Sequence, residues 1–490
     1  MFKLVSSAQT KSNRYLRRKN AVPHNKKRSF KMTEIVNVAV GQRFPITAKR
    51  LGINGEGIGY FQHKVTFVPG LIPGEVAVCE ATKVTDRYIE AKIHHLRKAS
   101  PHRVKDVPPL AGEVGGLELA HITYPQQLIF KNDLIKQALE KFKPRGYQHY
   151  ELAAPLGMTS PWHYRNKAQF PIRQLADGRL ICGLYRPGTQ ELIDLPTMPT
   201  QSPLTLKVCR AILPILKELA IPIYDPEKNS GIIKAIAVRE SHLHQQVQLT
   251  FITNSKKMPQ KRALLAAILQ QLPEVVSVSQ NFNPTKDGLF WGDETWLLAG
   301  EPYLEEQLGQ RRFLLSPRAF LQLNLSQTEK LYQIVGDYLQ LTRNDVLMDA
   351  YAGVGTIGIS LADQVRQVVG IEEIPEAVAD AEQNVQHNHL TNVSYQLGQV
   401  ETVWPQLIAA GTHFSALVVD PPRTGLVPSL IEAILKAAPK KFVYISCNES
   451  TLARDLVTLT KAYQVTKMQM VDLFPQTARV ETVVKLERRQ

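Results

Sequence analysis

The sequence predicts an α/β chain with three parts: a small N-terminal β barrel, a mixed α+β middle, and a doubly wound C-terminal domain. Three observations predict it. Residues 311–490 alternate strand-like and helix-like runs, the pattern of a doubly wound sheet. Three of the apolar runs lead directly into chemistry-bearing residues: Val346-Leu-Met into Asp349-Ala-Tyr351-Ala-Gly353-Val-Gly355-Thr356-Ile-Gly358, Leu417-Val-Val into Asp420-Pro-Pro-Arg423, and Phe442-Val-Tyr-Ile-Ser into Cys447-Asn448. As parallel strands they place all three motifs along the carboxyl edge of one sheet, where such folds bind ligands. Residues 34–97, finally, separate short strand-like runs by glycines and Pro-Gly turns.

Composition narrows the class. A chain of 490 residues suits two to four domains, and 44% apolar content can fill real cores. No apolar run approaches the roughly 20 residues needed to span a bilayer. The net charge of +15 favours a polyanionic partner. Much of it lies in residues 1–33, which run from Lys3 to Lys31 through Arg14, Arg17, Arg18 and Arg28 without an acid. Three readings compete for this stretch: a disordered basic arm for nucleic acid, an organellar transit peptide, or an upstream extension with Met32 as the start; the arm is favoured. The four cysteines, Cys79, Cys182, Cys209 and Cys447, are scattered, with no Cys-x-x-Cys pair. That predicts a reduced, cytoplasmic protein with neither a disulfide framework nor a metal site. A monomer is expected.

Taken in order, Val36-Asn-Val-Ala-Val, Lys64-Val-Thr-Phe-Val and Glu75-Val-Ala-Val-Cys are the barrel's expected strands, decorated by Lys49, Arg50, Lys83, Arg87 and Lys92. A small basic barrel suits an RNA backbone. The middle region, 98–310, opens on a connector and a helix over 126–142, where Leu128, Ile129, Leu134, Ile135, Leu139 and Phe142 mark one buried face before Pro144-Arg-Gly146 stops it. Trp162-His-Tyr-Arg-Asn-Lys167 mixes rings and cations, either for single-stranded RNA or as a partly buried turn. Runs 206–219 and 261–272 read as helices, and 247–252 and 275–279 as strands. In 311–490 the strands are Val346–Met348, Val368–Ile371, Leu417–Val419, Phe442–Ile445, and a pair near 464–471 and 480–485.

Gly353-x-Gly355-x-x-Gly358 lets backbone approach a nucleoside ligand, and Glu372, at the end of the next strand, is placed to hold ribose hydroxyls. NAD asks for the same two features; Asp349 favours S-adenosylmethionine. The two prolines after Asp420 fix φ and hold that carboxylate in a rigid turn. A cysteine at a strand end is most often a small buried hydrophobe. Cys447 is instead flanked by Ser446 and Asn448, and the helix beginning at Glu449 favours a thiolate.

Asp420-Pro-Pro-Arg-Thr-Gly425, Tyr444-Ile-Ser-Cys-Asn448 with Thr451-Leu-Ala-Arg454-Asp, and Asp472-Leu-Phe-Pro-Gln-Thr477 with Val480-Glu481-Thr together resemble the RNA uracil-5-methyltransferase family, whose members act on tRNA and 23S rRNA. The resemblance covers nearly the whole chain. It implies a Rossmann-like methyltransferase domain at 311–490, an RNA-binding TRAM domain at 34–97 and a central domain at 98–310. It implies that Cys447 adds to carbon 6 of uracil to activate carbon 5, and that Glu481 removes the carbon 5 proton, its pKa raised by burial. The target base must leave its stack to reach such a pocket. It also implies S-adenosylmethionine bound by Gln322, Tyr351, Thr356, Glu372, Gln399 and Asp420.

Two departures stand out. Many relatives carry an iron–sulfur cluster on four cysteines, and here the matching places are Pro108, Val114, Leu117 and Met198, so no cluster is expected. Arg479 stands where the family usually has a histidine, two residues before the base. The expectation is methylation of uridine carbon 5 in 23S rRNA, favoured over tRNA by the TRAM-like barrel and the degenerate cluster region at 108–117. An RNA-binding or RNA-folding protein with lost catalysis is the alternative of a different class. A NAD-dependent oxidoreductase would leave Cys447 and Glu481 without a role.

Overall fold

The structure, a computed structural model, describes residues 38–286 and 288–489. The basic arm at 1–33, Met32 and the first half of the expected strand at 36–40 lie outside the described residues. Residues 38–40 are not in a strand; the first strand is Arg43–Thr47. Six strands form the barrel: Arg43–Thr47, Arg50–Leu51, Gly57–Phe61, Lys64–Val68, Val76–Val84 and Tyr88–Lys98, in the spatial order first, fifth, sixth, fourth, third, second. Glycine is required where a strand passes close to a neighbouring loop: a Cβ on Gly57 would lie 2.4 Å from the Leu71 carbonyl oxygen.

Arg103 ties the connector to the barrel. Its guanidinium donates to both carboxylate oxygens of the buried Glu75, at 2.7 and 2.6 Å. The opening helix then departs from expectation. The helix spans Tyr124–Phe142, yet Ile129 is exposed, while Gln127 and Lys131 are fully buried. Lys131 forms a salt bridge of 2.6 Å with Asp472, both side chains wholly buried, and Tyr124 donates to the same carboxylate at 2.9 Å. The face of this helix was therefore chosen by an ionic partner 341 residues away.

The middle sheet has seven strands, in the order Glu294–Gly300, Val275–Phe282, Gln246–Thr253, Ile233–Ser241, Lys167–Gln174, Leu180–Tyr185, Leu192–Asp194. Side chains alternate across a strand. Ala168, Phe170 and Ile172 accordingly enter the core built with the helices Pro203–Glu218 and Lys261–Gln271. Trp162 packs on this core and Tyr164 is buried, its hydroxyl donating to the Pro475 carbonyl at 2.9 Å. The hairpin Leu304–Leu308 with Arg311–Leu315 spans the boundary expected at 310/311, and Leu308, Phe313 and Leu315 join the core of the C-terminal sheet.

That sheet also has seven strands, ordered Val393–Leu397, Gln367–Glu372, Val346–Ala350, Ala416–Val419, Lys441–Ser446, Glu481–Arg488, Tyr463–Val471. The first five are parallel, and Glu481–Arg488 runs antiparallel to both of its neighbours, Lys441–Ser446 and Tyr463–Val471. Successive residues face opposite cores: Met348 and Ala350 one, Leu347 the other. The chain order reverses between Val346–Ala350 and Ala416–Val419, which opens a crevice at their carboxyl ends. Val393–Leu397 had no sequence expectation. It is an edge strand whose Ser394, Gln396 and Leu397 are exposed.

Candidate active site

Strand register assembles the site. Ala350 pairs with Ile371 on one side and Val419 on the other. The next residue along each chain, Tyr351, Glu372 and Asp420, therefore stands beside the others at the edge. Ser446 pairs with Thr482, so Cys447 and Glu481 meet at the same end, next to Asp420.

The glycine loop turns immediately after Ala350. Tyr351 takes φ 65°, which is uncommon for a residue with a side chain. Gly353 and Gly355 follow at φ 55° and 85°. A Cβ on Gly353 would meet nothing within 4 Å, so backbone faces open space there. Its N–H donates to Glu372 at 2.9 Å, and the other oxygen of Glu372 accepts from the N–H groups of Glu373 and Ile374 at 2.9 and 3.0 Å. Glu372 is thereby locked in place before any ligand arrives. Gly358 donates to the buried Asp349 at 2.8 Å, and any Cβ at Gly358 would lie 2.9 Å from that same oxygen. The second oxygen of Asp349 is buried without a partner. Thr356 shares a hydrogen bond of 2.7 Å with Tyr332. Gln322 is nearly buried in the segment before the helix Leu325–Leu339, its carbonyl accepting from Asn166. Gln399 is exposed at the outer end of the edge, at the start of the helix Val400–Ala409.

The Asp420-Pro-Pro-Arg-Thr-Gly425 turn is clamped from the helix Glu449–Leu459. Asn448 and Thr451 both donate to the Arg423 carbonyl, at 2.9 and 3.2 Å. Arg454 donates to Thr424, and Asp455 accepts from the Leu426 N–H and the Tyr444 hydroxyl, each at 2.8 Å. Gly425, at φ 74°, admits no Cβ because Asp455 would lie 2.5 Å away. The Thr451-Leu-Ala-Arg454-Asp run, visible in the sequence, is thus the support of the acidic turn; Tyr444 and Asp455 had no assigned role, and their signal was this fixed spacing.

The electrostatics are dominated by buried acid. Burial, with the charge of Glu372, pushes Asp349 up to about 7. Burial and the charge of Asp349 push Asp420 up to about 7. Burial, then Asp420, holds Glu481 well above the usual carboxylate range, and one of its oxygens has no partner. Cys447 is half-buried, and burial, then Glu481 and Asp420, push its thiol up to about 12. Arg423 is the cation that opposes the rise at both Cys447 and Glu481. The expectation of a helix-stabilised thiolate is therefore corrected. Asn448 caps the helix by accepting from the Ser450 and Thr451 N–H groups at 3.0 and 3.4 Å, so those donors are spent on its amide oxygen. Arg479 is exposed, and its charge acts on Glu449.

Known proteins resemble this chain in sequence and in fold. The tRNA (Uracil-5-)-methyltransferase family model matches residues 298–402 and 407–489, and the TRAM domain model matches 37–94. An uncharacterized RNA methyltransferase of Lactiplantibacillus plantarum is 54% identical over 95% of this chain and 97% of its own length. The chain belongs to the RNA uracil-5-methyltransferase family. A second such relative, from Listeria innocua, is 47% identical over 92% of this chain and 99% of its own. Among solved structures, the Pyrococcus abyssi tRNA (uracil-54, C5)-methyltransferase in complex with S-adenosyl-L-homocysteine is similar at TM-score 0.71 and 26% identity, covering 90% of this chain and 99% of that one.

Within this RNA uracil-5-methyltransferase, strand register brings Tyr351, Glu372, Asp420, Cys447 and Glu481 to one sheet edge; Thr356 opens the helix after the glycine loop, Gln399 follows the edge strand, and Gln322 lies in the segment before the helix Leu325–Leu339. The open backbone at Gly353, the locked Glu372 and the partnerless oxygen of Asp349 fit a nucleoside cofactor with a cationic group. At the degenerate cluster region, Val114, Leu117 and Met198 are buried in the middle core, and Met198 lies 3.1 Å from where a Gly116 Cβ would stand. That side-chain set does not suit a thiolate-held iron–sulfur cluster.

Proposed function

We propose that this methyltransferase methylates carbon 5 of uridine in 23S rRNA through a covalent adduct on Cys447. The observation that carries the reading is the meeting of a cysteine and a deeply buried glutamate beside a nucleoside-type loop at one sheet edge. Gln322, Tyr351, Thr356, Glu372, Gln399 and Asp420 hold S-adenosylmethionine. That cofactor supplies the methyl group as a sulfonium electrophile.

The protein's own residues do the rest. Carbon 5 of uracil is a weak nucleophile. As sulfur of Cys447 bonds to carbon 6, the thiol proton passes to Asp420, whose carboxyl near 7 is part-ionised at neutral pH. The carbon 5–carbon 6 pair moves into an enolate, and carbon 5 becomes nucleophilic. After methylation, Glu481 in its ionised form takes the carbon 5 proton, the double bond re-forms, and the carbon–sulfur bond breaks with its electrons returning to sulfur. A glutamate destabilised as an anion is a strong base once ionised, and the charge of Arg423 opposes part of that destabilisation.

The barrel and the remnant region at 108–117 support rRNA. The second reading, tRNA, is favoured by the likeness to the Pyrococcus tRNA enzyme over 90% of this chain, which includes barrel residues. The test incubates the full chain with labelled S-adenosylmethionine and separate rRNA and tRNA from a strain lacking the enzyme. Label mapped to 5-methyluridine in rRNA, and lost with Cys447→Ala, is the expected result. Label in tRNA alone moves the assignment to the second reading, and none in either overturns the activity.

A further inference from the structure

We propose that the buried amide pair Gln127–Gln476 aims Glu481 for its proton transfer, which makes Gln127 and Gln476 positioning residues; the inference rests on the reading of Glu481 as the base. Glu481 is deeply buried. One of its oxygens has no partner, and no hydrogen bond among the described residues reaches the other. Its aim is therefore set by packing and by its backbone. Glu481 opens the strand Glu481–Arg488 and pairs with Val471 across the hairpin. The loop 472–480 closes that hairpin, so the path of this loop decides how Glu481 enters the crevice.

Other segments fasten the loop along its length. Every carbonyl from Asp472 to Gln476 accepts a hydrogen bond from elsewhere in the chain. Gln327 donates to Asp472 at 3.2 Å, Asn324 to Leu473 at 3.1 Å, Lys131 to Phe474 at 2.9 Å, the Tyr164 hydroxyl to Pro475 at 2.9 Å, and the Leu119 N–H to Gln476 at 2.8 Å. Gln476 ends this row with φ 70°, a conformation unfavourable for a residue with a side chain and kept only where the surroundings over-determine it. Gln127 does so. It is wholly buried in the helix Tyr124–Phe142. Its amide oxygen accepts from the Gln476 N–H at 3.1 Å, and its amide nitrogen donates to the Gln476 side-chain oxygen at 2.8 Å. The same nitrogen lies 3.0 and 2.9 Å from the Leu119 and Ile122 carbonyls, which orient Gln127 in turn. Glycine would take this φ without strain, so a glutamine here is used for its amide. Ala478, packed with Leu51 and Ile72 of the barrel, carries the fastening on towards Glu481.

The test separates the last chemical step from those before it. Release of RNA from Cys447 needs Glu481: the carbon 5 proton goes to its carboxylate, that C–H electron pair re-forms the double bond, and the carbon–sulfur pair returns to sulfur. Addition and methyl transfer come earlier. A displaced Glu481 therefore traps the covalent adduct, whereas a general loss of structure lowers adduct and product together. The full chain is incubated with S-adenosylmethionine and total RNA from a strain lacking the enzyme. The protein–RNA adduct that survives denaturation is measured beside the release of 5-methyluridine RNA. Gln127→Met keeps the reach of the side chain and removes its amide; Gln476→Gly takes the same φ freely and removes the other amide. Each is expected to accumulate adduct and to slow release by up to about 100-fold, the loss that a displacement of about 1 Å brings. kcat and KM should fall together, leaving kcat/KM, which reports the steps through methyl transfer, near the wild type. Thermal melting identifies a variant that fails to fold. Folded variants with wild-type release overturn the positioning role, and so do variants that lose adduct and release in proportion. Glu481→Gln runs alongside. If it accumulates adduct, the base reading stands whatever the two amide variants do; if it releases RNA at the wild-type rate, that reading falls and this inference with it.

Discussion

At the residue scale, the resting state of Cys447 is a thiol. Its pKa near 12 follows from burial and from two acids, Glu481 and Asp420, with the helix donors already taken by Asn448. Alkylation of Cys447 by iodoacetamide should therefore rise about tenfold per pH unit between pH 7 and 9 without levelling, since the thiolate is the nucleophile. A plateau in that range would mean an activated thiolate. Asp349 permits a second prediction. Its folded pKa, about 7 against 3.8 for the free side chain, means that its contribution favours the folded state at low pH and is lost as pH rises from about 4 through 7. Asp349→Asn keeps the acceptor for Gly358 and removes the charge. It should match the wild type in stability near pH 4 and exceed it by up to about 4 kcal/mol above pH 7, from roughly three units at 1.36 kcal/mol each. Urea melts of the cofactor-free proteins at the two pH values check this; a difference independent of pH would refute it. The sequence announced Cys447 as the residue of interest through its place at a strand end. It hid the protonation state, because a helix N-terminus signals activation only when its donors are free.

At the element scale, the motifs were legible because each is a strand end plus a local turn, and local patterns survive in one-dimensional order. Asp420 with its prolines, and Gly353 with its φ of 55°, are such cases. The strand Val393–Leu397 was illegible because an edge strand buries only Val393 and Tyr395 and shows polar residues elsewhere. The face of Tyr124–Phe142 was misjudged at Ile129 for a different reason: the buried place went to Lys131, and its partner lies in a distant segment. That pair supports a prediction. Lys131→Met strands the carboxylate of Asp472, which keeps the Tyr124 hydroxyl as its donor, and should cost about 3–5 kcal/mol in urea unfolding. Lys131→Met combined with Asp472→Asn should recover part of the loss. A single variant as stable as the wild type would show that the pair contributes nothing.

At the scale of the whole molecule, the same fastening has a consequence for how the chain is made. Lys131 and Asp472 are 341 residues apart, Gln127 and Gln476 are 349 apart and joined at 2.8 Å, and the Tyr164 hydroxyl waits for Pro475. A ribosome adding roughly 5–20 residues per second needs about 17–70 s to travel from one end of the lysine–aspartate pair to the other. Throughout that interval the early helix carries an ammonium group with no counter-ion, so it cannot settle into its final seat. Docking of the opening segments must therefore be among the last events of biogenesis, triggered by the arrival of Asp472–Gln476, the same stretch that leads into Glu481.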